Sequence, residues 1–597
     1  MPTYTAPVED ALFLLNDVFG YERYGNLPGF ADATPDVVKA IFEEAGKFAG
    51  EVLQPLNQVG DRQGCTRADD GSVTTPDGFK AAYTQMTDAG WTGLIAATDY
   101  GGQGLPYTVG AVVNEFVSSA NMAFGMYPGL TAGAYAAIDK HGSGEQKNLY
   151  LPKLASGEWS GTMNLTEPHC GTDLGLIRTK AVPRDDGSFS ITGTKIFISA
   201  GEHDLTDNIV HLVLARIEGA EDGVKGISLF VVPKFLPDEN GEPGERNAVA
   251  CGALEEKMGI HGNATCVMNY DGATGWLIGD VHKGLRAMFT MMNEARLGVG
   301  IQGLAQSEVA YQNAAVYARD RLQGRALSGD KQAEKPADPI IVHPDVRRML
   351  MNQKAFNEAA RALVIWTALQ ADVSRGSADE AHVQAAEDHL GLLTPVIKGV
   401  LTDTGFANTV AAQQVFGGHG YIAEWGMEQF VRDARIAQIY EGANGIQALD
   451  LVGRKLPRDG GRAMMAFFKE VSEFAATHAD DENLSAFAKP LGEAAKDLER
   501  ATMWFMANAM AKPDNAGAGS TDYMHLFGLV ALGYMWALIA RTAHEKIADG
   551  AGDADWLKAK IVTGRYFMER ILPETRAHVA RIEAGSETMM ALPAEAF

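Results

Sequence analysis

Four short stretches of this chain carry side chains whose types and spacing could do chemistry. In Asn164-Leu165-Thr166-Glu167-Pro168-His169-Cys170-Gly171-Thr172-Asp173, hydroxyls and a carboxylate crowd a turn marked by proline and glycine. Hydroxyls and backbone amides in such a turn can hold a flavin edge and a phosphate. An ordinary Asx-type turn at a domain entrance would read the same way. Lys195-Ile196-Phe197-Ile198-Ser199-Ala200-Gly201 offers a flat apolar face beside a hydroxyl. Taken alone it is equally a core strand. The paired glycines of Gln414-Val415-Phe416-Gly417-Gly418-His419-Gly420-Tyr421 let a backbone approach a pyrophosphate closely, though many turns are glycine-rich. In Gln438-Ile439-Tyr440-Glu441-Gly442-Ala443-Asn444-Gly445-Ile446-Gln447, a carboxylate precedes a glycine. Burial raises the pKa of such an acid and makes it a stronger base.

The elements that must position these residues fall in blocks. Residues 36–160 read as helical, with candidates at about 36–54, 77–89, 108–121 and 129–141. An apolar helix near Val8–Val18 belongs to an N-terminal arm, 1–35. From about 161 to 282 the segments are short, β-branched and turn-bounded, such as Ile209–Ala215 and Gly226–Pro233. The stretch 235–247 reads as an exposed loop. Helical periodicity returns over 283–455, interrupted at 326–340 by a polar segment read as a surface insertion. A Gly/Pro-rich joint at 456–461 opens an extra helical block, 456–597, divided by a loop at 512–521. Helix, sheet and helix in succession make an α+β protein, not a βαβ one, and no GxGxxG follows a strand.

Composition excludes several classes. With 597 residues the chain holds three or four domains, and 46% hydrophobic content argues against disorder. The formal charge of −25 makes nucleic acid a poor partner. No charge-free apolar run of about 18 residues is expected, hence no transmembrane segment. The start MPTYTAPVED lacks a secretory pattern. Four cysteines without CxxC spacing suggest a reduced, cytoplasmic setting with no disulfide framework and no metal site.

Together these motifs resemble the acyl-CoA dehydrogenase family over about residues 36–455. The first stretch is similar to its LTEP…G-S/T-D signature, departing at Asn164, His169, Cys170 and Leu176. The third is similar to its Q-x-x-G-G-x-G signature, with Gln429 where Lys or Arg is usual. The fourth is similar to its YEGTxxIQ segment. The resemblance implies FAD as cofactor, contacted by Leu165, Thr166, Gly171, Thr172, Phe197, Ile198, Ser199, Arg321, Ala443, Asn444 and Gly445. It implies that Gln414, Gly417 and Gly418 reach the FAD of a neighbouring subunit. It implies Glu441 as the base that removes the substrate α-proton, and Thr172, Asn293, Arg296 and Gly442 as substrate contacts. Some relatives carry the base directly before an arginine corresponding to Arg296. Ala295 stands there, and Glu294 lies about 100° around a helix, so the resemblance leaves Glu441.

The block 456–597 and the insertion resemble a bacterial subgroup of about 600 residues. The expected reaction is α,β-dehydrogenation of an acyl-CoA to the trans-2-enoyl-CoA. The expected substrate is 3-(methylthio)propanoyl-CoA or another short- or medium-chain thioester. Electron-transferring flavoprotein is the expected acceptor and a homodimer the expected assembly. The alternatives are a longer-chain dehydrogenase, an acyl-CoA oxidase and a non-catalytic acyl-CoA binder.

Overall fold

The computed structural model describes residues 2–597. It divides into two compact units. One is Glu44–Gly298; the other joins the residues up to Glu43 to Val299–Phe597.

In the first unit, helix Tyr107–Ala120 is buried on nearly every side, which explains why Val109, Val112, Val113, Phe116 and Val117 leave it no polar face. The next helix runs Met122–His141, seven residues longer at its start than the expected 129–141. Asn121 begins it by accepting the Phe124 N–H at 3.0 Å. The residues ahead of the expected start include Gly125 and Pro128, yet Gly125 and Gly133 are packing sites. A Cβ at Gly133 would lie 2.9 Å from Met291 Cγ. Burial here outweighs local propensity. Helix Gly144–Ser156 was not expected, although Ser143 and Gln146 form a capping box.

Seven strands follow: β1 Trp159–Asn164, β2 Lys180–Pro183, β3 Phe189–Ser199, β4 Asn208–Ile217, β5 Ile227–Pro233, β6 Val249–Leu254 and β7 Thr265–Ile278. Strands β7, β3, β2, β4 and β5 close into a ring, with β6 beside β7 and β1 parallel to β4. Closure depends on β7. Its register shifts between Asp271 and Ala273, at Gly272 with φ +75°, and from Trp276 it pairs with β5 instead of β3. The expected loop 235–247 instead forms a short hairpin, Phe235–Pro237 against Pro243–Arg246. It lies outside the ring, and Asp238, Glu239, Asn240 and Glu242 in its turn are exposed.

Two buried histidines bond to β1: His203, from the segment before β4, and His211, on β4. His203 Nε2 meets Ser160 Oγ at 2.9 Å, and His211 Nδ1 meets Thr162 Oγ1 at 2.7 Å. Burial, then Lys234 nearby, pushes both imidazoles down from 6.5 to about 3. The unfolded chain protonates them near pH 6.5 and the folded one does not. Their contribution is therefore complete above about 6.5 and is lost as the pH falls towards 3, by up to about 1.4 kcal/mol per pH unit each.

The second unit is helical. Its N-terminal segment packs Phe13, Leu14 and Leu15 into the core. Asp10 contacts both Arg361 and Lys560; Arg361 also meets Glu308 at 3.1 Å, and Lys560 meets Glu358 at 3.0 Å. Lys354 pairs with Glu358 from one turn before it. Three acids and three bases thus balance in a buried cluster spanning the N-terminal segment, the bundle and the C-terminal block. Removing one member of such a set leaves a charge uncompensated, a loss on the order of 3–5 kcal/mol. The insertion is organised by buried Asp338, which accepts the N–H groups of Ala326, Lys331 and Gln332 at 2.8–3.0 Å.

Two expectations for the C-terminal block fail together. Residues 514–521 are not a loop but the start of helix Asp514–Ala548. There Gly519 packs so closely that a Cβ would stand 2.9 Å from Phe505 Cζ. Residues 523–540 of this helix contain no Asp, Glu, Lys or Arg, contrary to the expected absence of such a run. The helix is long and apolar enough to cross a membrane by length and composition, but 89% of its most apolar window is buried within the protein. Trp536 Nε1 donates to Ala355 O at 2.9 Å, as in a core helix.

The acid response of the ring is testable. Replacing His203 and His211 with glutamine is expected to flatten the fall in melting temperature between pH 7 and pH 5. An unchanged slope would show that these groups do not set it.

Candidate functional site

In the first unit, the turn after β1 is tied to the middle of β3. Ile196 N donates to Thr166 O at 3.0 Å, and Lys195 Nζ donates to Leu165 O at 2.9 Å. Lys195 also pairs with Glu167 at 2.9 Å, both side chains almost fully buried. Burial pushes the Lys195 ammonium down to about 8 despite its partner. Burial would raise the Glu167 carboxyl, but Lys195, Thr179 and the Arg178 N–H outweigh it and hold it below the usual range. The turn is therefore rigid at Glu167, while Gly171 and Thr172 stand exposed beyond it. Asp173 accepts the Gly175 N–H at 3.1 Å, so the Asx-type turn is present as well. Glu167, His169 and Cys170 approach metal-ligand spacing. Lys195 already neutralises that carboxylate, and His169 Nε2 donates to Leu176 O at 2.8 Å.

Phe197 sits where the β3–β7 register shifts, between Lys195 and Ile198. Its φ is +59°, and its side chain is 58% exposed. A left-handed backbone costs a phenylalanine of order 1–3 kcal/mol, and such strain gathers at functional positions. The bulge turns an aromatic face out of the sheet, with buried Ile198 and half-buried Ser199 next to it. Asn293 is exposed on helix Gly284–Asp320. One turn on, the Arg296 guanidinium lies 5.8 Å from the Phe289 ring.

In the second unit, Arg321 is exposed just past the end of that long helix. Gln414, Gly417 and Gly418 are exposed at the end of helix Glu380–Val415, and a Cβ at either glycine would meet nothing within 4 Å. This turn is braced by Tyr317, whose ring stacks on Phe416 at 4.2 Å and whose hydroxyl meets His419 Nδ1 at 2.9 Å. Trp425 stacks on His419 at 4.6 Å.

Glu441 has φ +55° and Gly442 φ +85°, directly before helix Asn444–Asp450. Gln447, on that helix, donates to Glu441 O at 3.3 Å and Gly442 O at 3.1 Å. A Cβ on Gly442 would stand 2.5 Å from Gln447 Nε2, and the φ of +85° is itself one that favours glycine. Asp403 holds the segment at both ends. Its Oδ1 accepts from Gln438 Nε2 and from Asn444 Nδ2, each at 2.7 Å. Asn444 also accepts from Lys398 Nζ at 2.7 Å and donates to Thr402 Oγ1 at 2.9 Å. Its side chain is thus spent on the protein, leaving a backbone role toward a ligand. Tyr440 donates to Gln302, and burial, then the Glu441 charge, pushes its phenol far above its ordinary value. Asp403, Lys398, Gln302 and Tyr317 were not among the expected site residues. Their partners lie 35 to 138 positions away, so spacing carried no signal.

The first unit thus presents an exposed aromatic ring beside a hydroxyl-bearing turn, and the second an unobstructed double glycine and a glutamate on left-handed backbone. Family models match nearly the whole chain. The acyl-CoA dehydrogenase N-terminal, middle and C-terminal domains match residues 36–158, 162–273 and 282–456, and an acetyl-CoA dehydrogenase C-terminal-like model matches 467–593. The chain belongs to the acyl-CoA dehydrogenase family, whose cofactor is FAD.

Among particular relatives, it is 44% identical to the 3-methylmercaptopropionyl-CoA dehydrogenase of Ruegeria pomeroyi, over 98% of this chain and 99% of that one. Caenorhabditis elegans ACDH-11, solved with C11-CoA, shares the fold across 98% of this chain and 95% of its own, with TM-score 0.78 at 20% identity. Butyryl-CoA dehydrogenase from Megasphaera elsdenii is 25% identical with TM-score 0.58, and 98% of it is spanned by 70% of this chain. Smaller members therefore leave about three-tenths of this protein unmatched.

Gly442→Ala tests the geometry of the strained turn. The new methyl must displace Gln447, and flavin reduction by acyl-CoA is expected to slow at least about tenfold, as small misplacements of a reacting group do. Unchanged reduction kinetics would mean that Gln447 does not position Glu441.

Proposed function

We propose that the protein removes the α-proton and β-hydride of an acyl-CoA thioester, giving the trans-2-enoyl-CoA, with Glu441 as the base. The observation that carries this reading is a carboxylate on a strained backbone, pinned on both sides by one set of hydrogen bonds centred on Asp403. FAD would be held by Leu165, Thr166, Gly171, Thr172, Phe197, Ile198, Ser199, Arg321 and the backbone of Ala443, Asn444 and Gly445, with Gln414, Gly417 and Gly418 reaching the FAD of a neighbouring subunit. When bound, FAD supplies the two-electron acceptor for the β-hydride. Glu441 takes the α-proton onto its carboxylate. Its backbone N–H donates to the thioester carbonyl, where negative charge develops, and so lowers the barrier. Thr172, Asn293, Arg296 and Gly442 contact the substrate. Desolvation by the acyl chain strengthens the base at the moment it acts.

The domains are assigned as the arm 1–35, the helical domain 36–160, the β domain 161–282, the bundle 283–455 and the added block 456–597. The substrate is 3-(methylthio)propanoyl-CoA or another short- or medium-chain thioester, on the support of the 44% identical relative. On this reading the reaction belongs to dimethylsulfoniopropionate breakdown. Electron-transferring flavoprotein takes the electrons, and the protein is a cytoplasmic homodimer. A solution mass of four chains, or recovery with membranes, would contradict the last assignment.

Glu441→Gln is expected to keep the bound yellow flavin and to lose reduction by substrate by about 10²–10⁴-fold, the range of a general base. Rapid bleaching of that variant would move the base elsewhere, with Glu294 the first to test. A ferricenium or flavoprotein-coupled assay across acyl-CoA thioesters is expected to favour the methylthio or short-chain ones. Preference for long chains, or peroxide release in air, would select the longer-chain dehydrogenase or the oxidase. A preparation that cannot be reconstituted with FAD would select the non-catalytic binder.

A further inference from the structure

The block beyond residue 456 reaches the Glu441 segment through one side chain. His525, on helix Asp514–Ala548, places Nε2 2.9 Å from Asp403 Oδ2. The other oxygen of the same carboxylate receives Gln438 and Asn444, three residues before and three residues after Glu441. His525 is itself fixed: its ring stacks on His578 at 5.9 Å and 10°, and His578 Nδ1 meets Asp522 Oδ1 at 2.8 Å. Arg581 donates to that same Asp522 oxygen at 3.2 Å.

We propose that His525 is a positioning residue for Glu441, by which the added C-terminal block sets the geometry of the base through Asp403. The proposal rests on the reading of Glu441 as base. A carboxylate can rotate about its own bond. With two donors on Oδ1 and nothing on Oδ2, Asp403 has no fixed plane, and both arms of the clamp inherit that freedom. A ring nitrogen on Oδ2 removes it. Glu441 is sensitive because its left-handed φ is held from outside and not by its own preference. Docking of the added block alone would not need this atom. The buried set around Asp10 and the packing of Trp536 already anchor it to the bundle. Shorter members of the family do without a block of this size, so the contact tunes a segment that exists without it.

The test uses the full-length flavoenzyme and anaerobic reduction by the acyl-CoA that bleaches the wild type fastest, starting with 3-(methylthio)propanoyl-CoA. H525A, and H525N with a donor too short to reach, are expected to slow the reduction rate at least fivefold while the KM for the thioester stays within twofold. The α-deuterium isotope effect on reduction should rise, because proton transfer has become slower. H525Q, whose amide reaches Asp403, is expected to return to within twofold of the wild-type rate. If H525A does not fold, H525N against H525Q carries the comparison. Wild-type rates in H525A or H525N, or an H525Q as slow as H525N, would overturn the proposal and leave Glu441 untouched. A wild-type flavin that no acyl-CoA bleaches would overturn the underlying reading instead.

Discussion

Asp403 accepts two hydrogen bonds on one carboxylate oxygen and a third on the other, and the shape of the segment 438–447 depends on them. Left alone, a glutamate at φ +55° would relax towards an ordinary conformation. Here Gln438 and Asn444 fix the ends while Gln447 takes the two carbonyls between. Burial disfavours the Asp403 charge, but His525 and Gln438, with Asn444, outweigh it and keep the acid ionised below the usual range. Lys398 completes the set by holding the other end of the Asn444 amide.

The β-rich unit solves a matching problem with a different device. A phenylalanine exposed on a sheet surface costs hydration, and one at φ +59° adds strain. Both persist because the strand beneath is over-determined. Lys195 and Glu167 neutralise one another beneath the exposed turn, and Ile196 bonds to Thr166 across it. A buried ion pair is weak evidence of net stability. Its effect here is geometric: it fixes the distance from the hydroxyl-bearing turn to the aromatic bulge.

The added helices serve the same bundle that carries Glu441. Six charges meet around Asp10 and Lys560, drawn from the N-terminal segment, two bundle helices and the C-terminal block. Balanced sets of this kind specify register, because any slip leaves a buried charge without a partner. The long helix Asp514–Ala548 then lies in the core with Gly519 and Gly528 against neighbouring side chains, and His525 on its partly exposed side reaches Asp403.

From local signals in the sequence alone the order of helical, β and helical blocks and the family could be read, along with candidate residues for the site. These are written in local signals: periodicity, paired glycines, and an acid followed by glycine. The sequence left 122–128 outside the expected helix and read 514–521 as part of a loop, where the tight packing of Gly125 and Gly519 accompanies helix. It read 523–540 as unremarkable, although that run is apolar enough for a membrane and only its burial among other helices shows otherwise. It passed over Asp403, Tyr317 and His525 altogether. Each acts on residues far along the chain, and a contact between distant positions has no period or motif until the fold brings the two together.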